Sequence, residues 1–314
     1  MKSYKILVTG CGDDVAQSIG KILRNHPIAE RVIGCDIHNE HAGHFIFHQS
    51  FLVERASSPR YGESIRALVA EQEIDIIIPC TEVEIDYFVR GGFQSFDRGV
   101  VVRPNSFAVE IGLDKYRTIK FLEENQLPFP VTVLLEEIQE PLLPCVIKAR
   151  RGSGSKAVYT VKDIDTFNLV RRILTNGICQ EYLESSEEEY TCSVFRSRAG
   201  GIRTICFRRK LAAGGYTNYG VVAKNKAIDS LLVRLADLLR LEGSINVQLR
   251  LKDEIPMIFE INARFSSTVL FRHLFGYSDV LWSIQDVLGL QIESYVEPEC
   301  GGRFYKAFQE YIVK

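Results

Sequence analysis

Residues 244–264 read SINVQLRLKDEIPMIFEINAR. Ile245, Val247, Leu249 and Leu251 alternate with Asn246, Gln248, Arg250 and Lys252. Beyond Asp253-Glu254, Met257, Phe259, Ile261 and Ala263 alternate with Ile258, Glu260, Asn262 and Arg264. Alternation with a period of two marks two strands, each with one apolar and one polar face. The polar face carries Gln248, Glu260, Asn262 and Arg264. One carboxylate and two amide carbonyls are oxygen donors that suit a hard cation such as Mg²⁺, which also accepts phosphate oxygens. Arg264, on the same side, is placed to neutralise a transferring phosphoryl group. A solvated polar strand face would read the same way. Facing Gln248 with Glu260 requires a three-residue connection or a bulge near Asp253, Glu254 and Ile255.

Upstream, Cys145-Val146-Ile147-Lys148-Ala149 is a strand that delivers a lysine, followed by Arg150-Arg151-Gly152-Ser153-Gly154-Ser155-Lys156 and another strand. Small residues let backbone N–H groups wrap phosphate oxygens, and basic neighbours add charge. The loop is not a Walker A motif, which would lead into a helix. A glycine-rich hairpin turn has the same composition. Gln180-Glu181-Tyr182-Leu183 offers a backbone edge for adenine. Glu189, after Glu187-Glu188, is placed for ribose hydroxyls, and a solvated acidic turn is the plainer reading.

The first hundred residues alternate strand and helix, which predicts a parallel sheet with helices on its faces. Strands are expected at Lys5–Val8, Arg31–Cys35, Ile74–Pro79 and Gly99–Arg103, with helices at Asp14–Arg24, Ser58–Glu71 and Glu82–Arg90. Arg103-Pro104-Asn105-Ser106 reads as a joint. A helix capped by Asp114 follows. Beyond it strands dominate, and Asn225–Leu241 is an amphipathic helix with Ile228, Leu231, Leu232, Leu235, Leu238 and Leu239 on one stripe. A helix at Ser278–Gly289 and a strand at Arg303–Ile312 close the chain.

The sequence has 314 residues, 46% hydrophobic and 25% charged, with a formal net charge of -2. That is ordinary for a globular chain of more than one unit, and no basic field points to nucleic acid or an anionic membrane. No apolar run of membrane-spanning length and no signal-peptide core is expected. The eight cysteines are scattered without a CxxC pair, as in a cytoplasmic protein with reduced thiols.

Taken in order, these elements resemble the ATP-grasp superfamily, and most its carbamoyl-phosphate-synthase-type branch. The resemblance rests on Asp114-Lys115-Tyr116-Arg117-Thr118, residues 146–155, Gln180-Glu181-Tyr182-Leu183, Glu189-Tyr190-Thr191, Asn246-Val247-Gln248 and residues 259–264. It implies an α/β Rossmann-like pre-ATP-grasp domain at 1–112. An α+β ATP-grasp fold then follows, with a small lid subdomain at 113–185 and a large subdomain at 186–314. It implies ATP and two Mg²⁺ ions, with Mn²⁺ as a substitute. Lys115 and Lys148 would contact the nucleotide phosphates, and Arg151, Gly152, Ser153, Gly154 and Ser155 would close over them. Glu181, Tyr182 and Leu183 would sit at adenine and Glu189 at ribose. Gln248, Glu260 and Asn262 would hold the metal, and Arg264 would stabilise an acyl phosphate. Arg208, with Arg209, Lys210 and the loop at 212–216, would reach over the substrate. The implied reaction is ATP-dependent joining of a small-molecule carboxylate to an amine, in a chain that acts alone or as a homodimer. Carbamoyl phosphate synthetase large subunits carry two such halves, so their overall reaction does not transfer.

Three other readings compete with this one. Gly10-Cys11-Gly12 after a strand, with Asp36 ending the next, is a partial dinucleotide fingerprint whose third glycine is replaced by Val15. His38, His41, His44 and His48 near Asp36 have ligand-like spacing, but Gly43, Phe45 and Phe47 favour a polar loop. A non-catalytic nucleotide-binding regulator would keep the binding residues. Thr81-Glu82-Val83-Glu84 is a further contact at a strand's carboxyl end, equally explained as a helix cap.

Overall fold

The computed structural model describes residues 2–152, 157–184, 189–212, 215–307 and 309–312. The expectations for Ser153, Gly154, Ser155 and Lys156, for Glu187 and Glu188, and for Ala213 and Gly214 lie outside the described residues.

The N-terminal unit is a sheet in the order β3-β2-β1-β4-β6-β5. Its strands are β1 (Tyr4–Thr9), β2 (Ala29–Asp36), β3 (Gln49–Leu52), β4 (Ile76–Ile78), β5 (Ser95–Phe96) and β6 (Gly99–Val101). All pairings are parallel except β5 with β6. Helices α1 (Asp14–Arg24), α2 (Tyr61–Glu71) and α3 (Glu82–Arg90) connect them. Ile6 and Val8 pack on one face with α1, and Leu7, Ile33 and Ile77 pack on the other. Both faces are covered, which explains the near-continuous apolar strands. Asp13 caps α1 through its side chain, and Thr81 caps α3. The second helix begins at Tyr61 rather than Ser58.

Two helices lead onward, α4 (Ser106–Gly112) and α5 (Lys115–Glu124). The former was not foreseen. Gly112 is needed there, because a Cβ would sit 3.1 Å from the Ala263 nitrogen and the Ile261 carbonyl. A four-stranded sheet follows, in the order β7-β10-β8-β9: β7 (Thr132–Leu134), β8 (Cys145–Ala149), β9 (Val158–Val161) and β10 (Gly177–Glu181). Helix α6 (Ile164–Ile173) covers it with Phe167 and Val170.

The third sheet has the order β15-β14-β11-β12-β13-β16. Its strands are β11 (Glu189–Arg196), β12 (Ile202–Leu211), β13 (Thr217–Ala223), β14 (Gly243–Lys252), β15 (Ile255–Asn262) and β16 (Arg303–Tyr305). The strand expected at Arg303–Ile312 is therefore only its first three residues. Helix α7 (Lys226–Leu238), capped by Asn225, buries Ile228, Leu231, Leu232 and Leu235 against one face, with α4 and α5. Helices α8 (Val269–Leu274) and α9 (Asp279–Val287) return to the N-terminal unit, where Val269, Val280 and Ile284 join the core of β1 and α1.

The β14–β15 hairpin departs from simple alternation. Lys252 pairs with Ile255, so the turn is only Asp253-Glu254, both with positive φ, 49° and 63°. That is the two-residue turn whose twist suits a hairpin. The extra residue sits at the other end: Leu249 pairs with Ile258 but Gln248 pairs with Glu260. Phe259 is therefore a bulge beside the polar face. The expected alternation breaks there, with Ile258 entering the core and Phe259 facing the cleft.

A buried ion pair fixes α8 and α9 beneath this sheet. Arg272 Nη2 lies 3.1 Å from Asp279 Oδ2, and both residues are 1% exposed. Ser193 and Ser244 donate to the same oxygen at 3.0 and 2.7 Å. Asp279→Ala is expected to destabilise the protein by about 3–5 kcal/mol, because it strands a buried guanidinium. A urea titration with an unchanged slope and a lower midpoint is the expected result. An unchanged midpoint would refute this role for the pair.

Candidate active site

The carboxyl ends of β1 and β4, the inner face of the second sheet and the polar face of β11, β12, β14 and β15 enclose one cleft of about 700 Å³. That is the size of a small-molecule or cofactor site. Its walls include Lys115, Lys148, Arg151, Gly152, Glu181, Tyr182, Leu183, Glu189, Gln248, Glu260, Asn262 and Arg264. Residues from six separated stretches thus converge. Arg208 does not join them. It is exposed on the outer face of β12, and Arg209, one residue on, is buried and lines the cleft.

The lysines approach from opposite Glu260. Lys115 begins α5, donates through Nζ to the Gly152 carbonyl at 2.7 Å and lies 3.9 Å from Glu260. Asp114 caps the helix through Tyr116 N and Arg117 N, and also accepts from Arg150 Nε at 2.7 Å. The start of the glycine loop is thereby tied to the start of α5. Lys148 is buried in β8, where its ammonium donates to the carbonyl of the bulged Phe259 at 3.1 Å and lies over that ring. Burial pushes the Lys148 ammonium down to about 8, with nearby Glu260 opposing the shift and Lys115 adding to it.

Glu181 accepts from Val131 N at 3.1 Å and from Lys252. Burial raises its carboxyl, and these partners outweigh that and hold it below its usual range. Strand β10 ends at Glu181, so Tyr182 and Leu183 leave the ladder and line the cleft near the apolar Val146 and Val158. Glu189 is more constrained than its expected ribose role requires. Arg209 grips Oε1 through Nε and Nη2 at 3.0 and 2.6 Å, and Arg250 grips Oε2 at 3.2 and 2.7 Å. Burial pushes this carboxyl up, yet the two guanidiniums hold it low. Arg250 also donates to the Leu183 carbonyl at 2.8 Å, and Arg209 to Gln248 Oε1 at 3.1 Å. Neither arginine was assigned this part from sequence.

Gln248, Glu260 and Asn262 project from paired positions of β14 and β15 into the cleft. Gln248 and Asn262 each accept one arginine hydrogen bond, from Arg209 and Arg264 at 3.1 Å. A carbonyl oxygen has two lone pairs, so each retains one. Two amide carbonyls and a carboxylate fit a Mg²⁺ ion that shares its remaining positions with phosphate oxygens or water. Arg264 Nε reaches Glu82 Oε1 at 3.3 Å, linking the hairpin to α3.

The histidines form a local polar turn. His44 bonds the Asn39 carbonyl and Ser50, both at 2.6 Å, and His48 lies 3.0 Å from Val32 N. Cys11, Asp36 and His41 do cluster within 4.8 Å. Asp36, which a dinucleotide fingerprint would use, accepts from Gly12 N and His38 N at 2.8 and 3.1 Å. Among the described residues no helix is long and apolar enough to cross a membrane.

Residues 113–268 match the family model described as the ATP-grasp domain. No curated protein matches the sequence. Among solved structures the chain is similar to N5-carboxyaminoimidazole ribonucleotide synthetase from Thermotoga maritima. The TM-score is 0.70 at 18% identity, over 94% of this chain and 78% of that one. It is also similar to the biotin carboxylase domain of 2-oxoglutarate carboxylase from Hydrogenobacter thermophilus, in complex with MgADP, ADP and bicarbonate. There the TM-score is 0.75 at 13% identity, over 96% and 74% of the two chains. An L-amino acid ligase from Bacillus licheniformis gives 0.68 at 16% identity, over 92% and 75%. At these identities the likeness is one of fold, and it spans the N-terminal unit as well as the region matched by the family model. With an α/β parallel-sheet unit preceding a lysine-bearing small sheet and a carboxylate hairpin, the chain belongs to the ATP-grasp family.

Proposed function

We propose that the protein is an ATP-dependent ligase that activates a carboxylate as an acyl phosphate and joins it to an amine. The carrying observation is the cleft itself. Oxygen donors Gln248, Glu260 and Asn262 face the ammonium groups of Lys115 and Lys148, with Arg264 at the far end. A polyanion with its counter-cation matches both walls. ATP with Mg²⁺ has that chemistry, and MgADP is bound by the biotin carboxylase domain of the same fold.

In this reading Lys115 and Lys148 neutralise the phosphate chain, and the carbonyl of Phe259 holds the Lys148 ammonium in line. Gln248, Glu260 and Asn262 would hold one or two Mg²⁺ ions, with Mn²⁺ as a substitute. A metal held there would supply positive charge that offsets the phosphates and lessens their repulsion of an incoming carboxylate. A carboxylate oxygen attacks the γ-phosphorus and ADP leaves. Arg264 stabilises the acyl phosphate, whose carbonyl carbon the amine then attacks, releasing phosphate. The chain's contribution is position and charge compensation in a site shielded from water. Arg209 steadies Gln248 from within the cleft, whereas the expectation had Arg208, with Arg209 and Lys210, reach over the substrate.

Glu260→Ala is expected to lower carboxylate-dependent ADP formation by about 10²-fold or more, with an unchanged circular dichroism spectrum. Full activity in that variant would remove the metal assignment. If ATP binds but no carboxylate in a broad panel promotes ADP formation, the protein is a nucleotide-binding regulator instead. Lys148 sets a pH dependence. Its ammonium attracts phosphate only while protonated, and its value is lowered to about 8. In metal-free buffer, ADP affinity should therefore be flat below that pH. It should fall by up to about tenfold per unit above it. Lys148→Met should weaken binding at pH 7 and flatten the profile. An identical profile in wild type and variant would show that another group titrates.

A further inference from the structure

The acceptor end of the cleft has polar groups that the nucleotide reading leaves unused. The N-terminal sheet reverses its order between β1 and β4. Ligands of open parallel sheets bind outside the carboxyl ends of strands at such a switch point. Here Asp13 and Asp14 follow β1, and Thr81 and Glu82 follow β4; all four line the cleft. This wall is acidic, and it faces Arg264 and Asn246 from the hairpin.

Three details define what it would hold. First, Glu82 has one long bond, from Arg264 Nε at 3.3 Å, although its side chain is only 16% exposed. Among the described residues no other cation contacts its carboxylate. Second, Asn246 is 1% exposed and its Nδ2 has no hydrogen-bond partner, whereas its Oδ1 accepts from Thr191 at 3.0 Å. A buried amide donor left unpaired is costly, and a ligand oxygen would satisfy it. Third, the wall already takes one ammonium, since Lys306 of the segment after β16 bonds Asp14.

Resting on the ligase reading, we infer that the carboxylate substrate carries a protonated amine beside its reacting carboxylate, as an α-amino acid does. Glu82 and Arg264 are in direct contact, so groups bound to each must be neighbours on the ligand. A zwitterion laid antiparallel to this pair places its ammonium on Glu82 and its carboxylate on Arg264 and Asn246 Nδ2. The orphan donor is an N–H, so Asn246 faces an anion rather than a metal. A plain carboxylate would leave Glu82 with a single weak partner, and the site would lose the bond that the ammonium supplies.

Hydroxylamine tests this without knowledge of the natural amine. After the carboxylate oxygen has displaced ADP from the γ-phosphorus, the hydroxylamine nitrogen attacks the acyl carbon. Phosphate leaves, and the nitrogen's proton passes to solvent. The twenty common amino acids and their des-amino carboxylates would each be incubated with enzyme, ATP, Mg²⁺ and hydroxylamine, and hydroxamate measured. At least one amino acid should exceed its des-amino partner by about a hundredfold in kcat/KM. Glu82→Gln should shrink that ratio to within about tenfold, mostly through KM, without altering ADP affinity. Des-amino acids that react as well as amino acids would overturn the inference and leave the ligase reading standing. A ratio unchanged in Glu82→Gln would overturn the assignment of the ammonium to Glu82. Absence of hydroxamate from every compound, with ATP bound, would overturn both readings.

Discussion

A single inserted residue at Phe259 governs the geometry of the cleft. Without it, a two-residue turn at Asp253-Glu254 would pair Gln248 with Phe259 and send Glu260 into the core. The bulge advances β15 by one position, so Glu260 meets Gln248 and Asn262 meets Asn246. It also frees the Phe259 carbonyl from the ladder and offers it to Lys148. One backbone irregularity therefore sets both the face proposed to hold the metal and the lysine proposed to meet the phosphates. Bulges re-aim side chains at the cost of a local ladder bond, and here the displaced carbonyl finds a charged partner instead.

Charge compensation then keeps the cleft folded when it is empty. Glu189 is nearly buried between Arg209 and Arg250, with each oxygen held by one guanidinium. A buried carboxylate with fewer partners would be expensive. The same arginines reach Gln248 and the Leu183 carbonyl. The network thus ties the expected ribose and adenine residues to the strand that carries Gln248, an expected metal ligand. Lys148 is the counterexample. Among the described residues its hydrogen-bond and ring partners are a carbonyl and an aromatic face, and burial lowers its affinity for a proton. A nucleotide phosphate would supply the missing negative charge, so ligand binding and relief of desolvation coincide at this residue.

Much of this was legible in the sequence where one face of an element alone is buried. The bounds of α1 and α3 match the expectation because caps and apolar stripe agree. Strand β8 and the polar face of β14 were equally clear. The failures have physical causes. Strand β13 contains Asn218 and Gly220 and shows no alternation, and α4 is a short helix that follows Pro104. Arg208 and Arg209 could not be told apart in the sequence, because Ile205, Cys206 and Phe207 before them are all apolar, and all three are buried. A strand covered on both faces has no apolar phase from which to tell inward from outward. The extra residue was expected near the turn, as a three-residue connection or a bulge, because the register of Gln248 with Glu260 demands one more residue without saying where along β15 it sits.

The acceptor wall was hardest to read because no local segment encodes it. Glu82 and Arg264 meet across 182 positions of sequence, from different units of the fold. Thr81-Glu82 alone is a capped helix start, and Arg264 alone is the last residue of a strand motif. Packing of α3 on α4 and of α4 on β15, together with α8 and α9 against β1 and α1, brings them together. That arrangement divides labour along the cleft. The phosphate end is built from strands and the helix start they anchor, whose register leaves little freedom. The acceptor end is built from the first residues after β1 and β4, which can change without disturbing any ladder. On the proposed function, substrate identity would reside in the charge pattern of that loop wall. The contact of one half-buried carboxylate with one guanidinium is the part of the pattern that makes a zwitterion fit better than a simple anion.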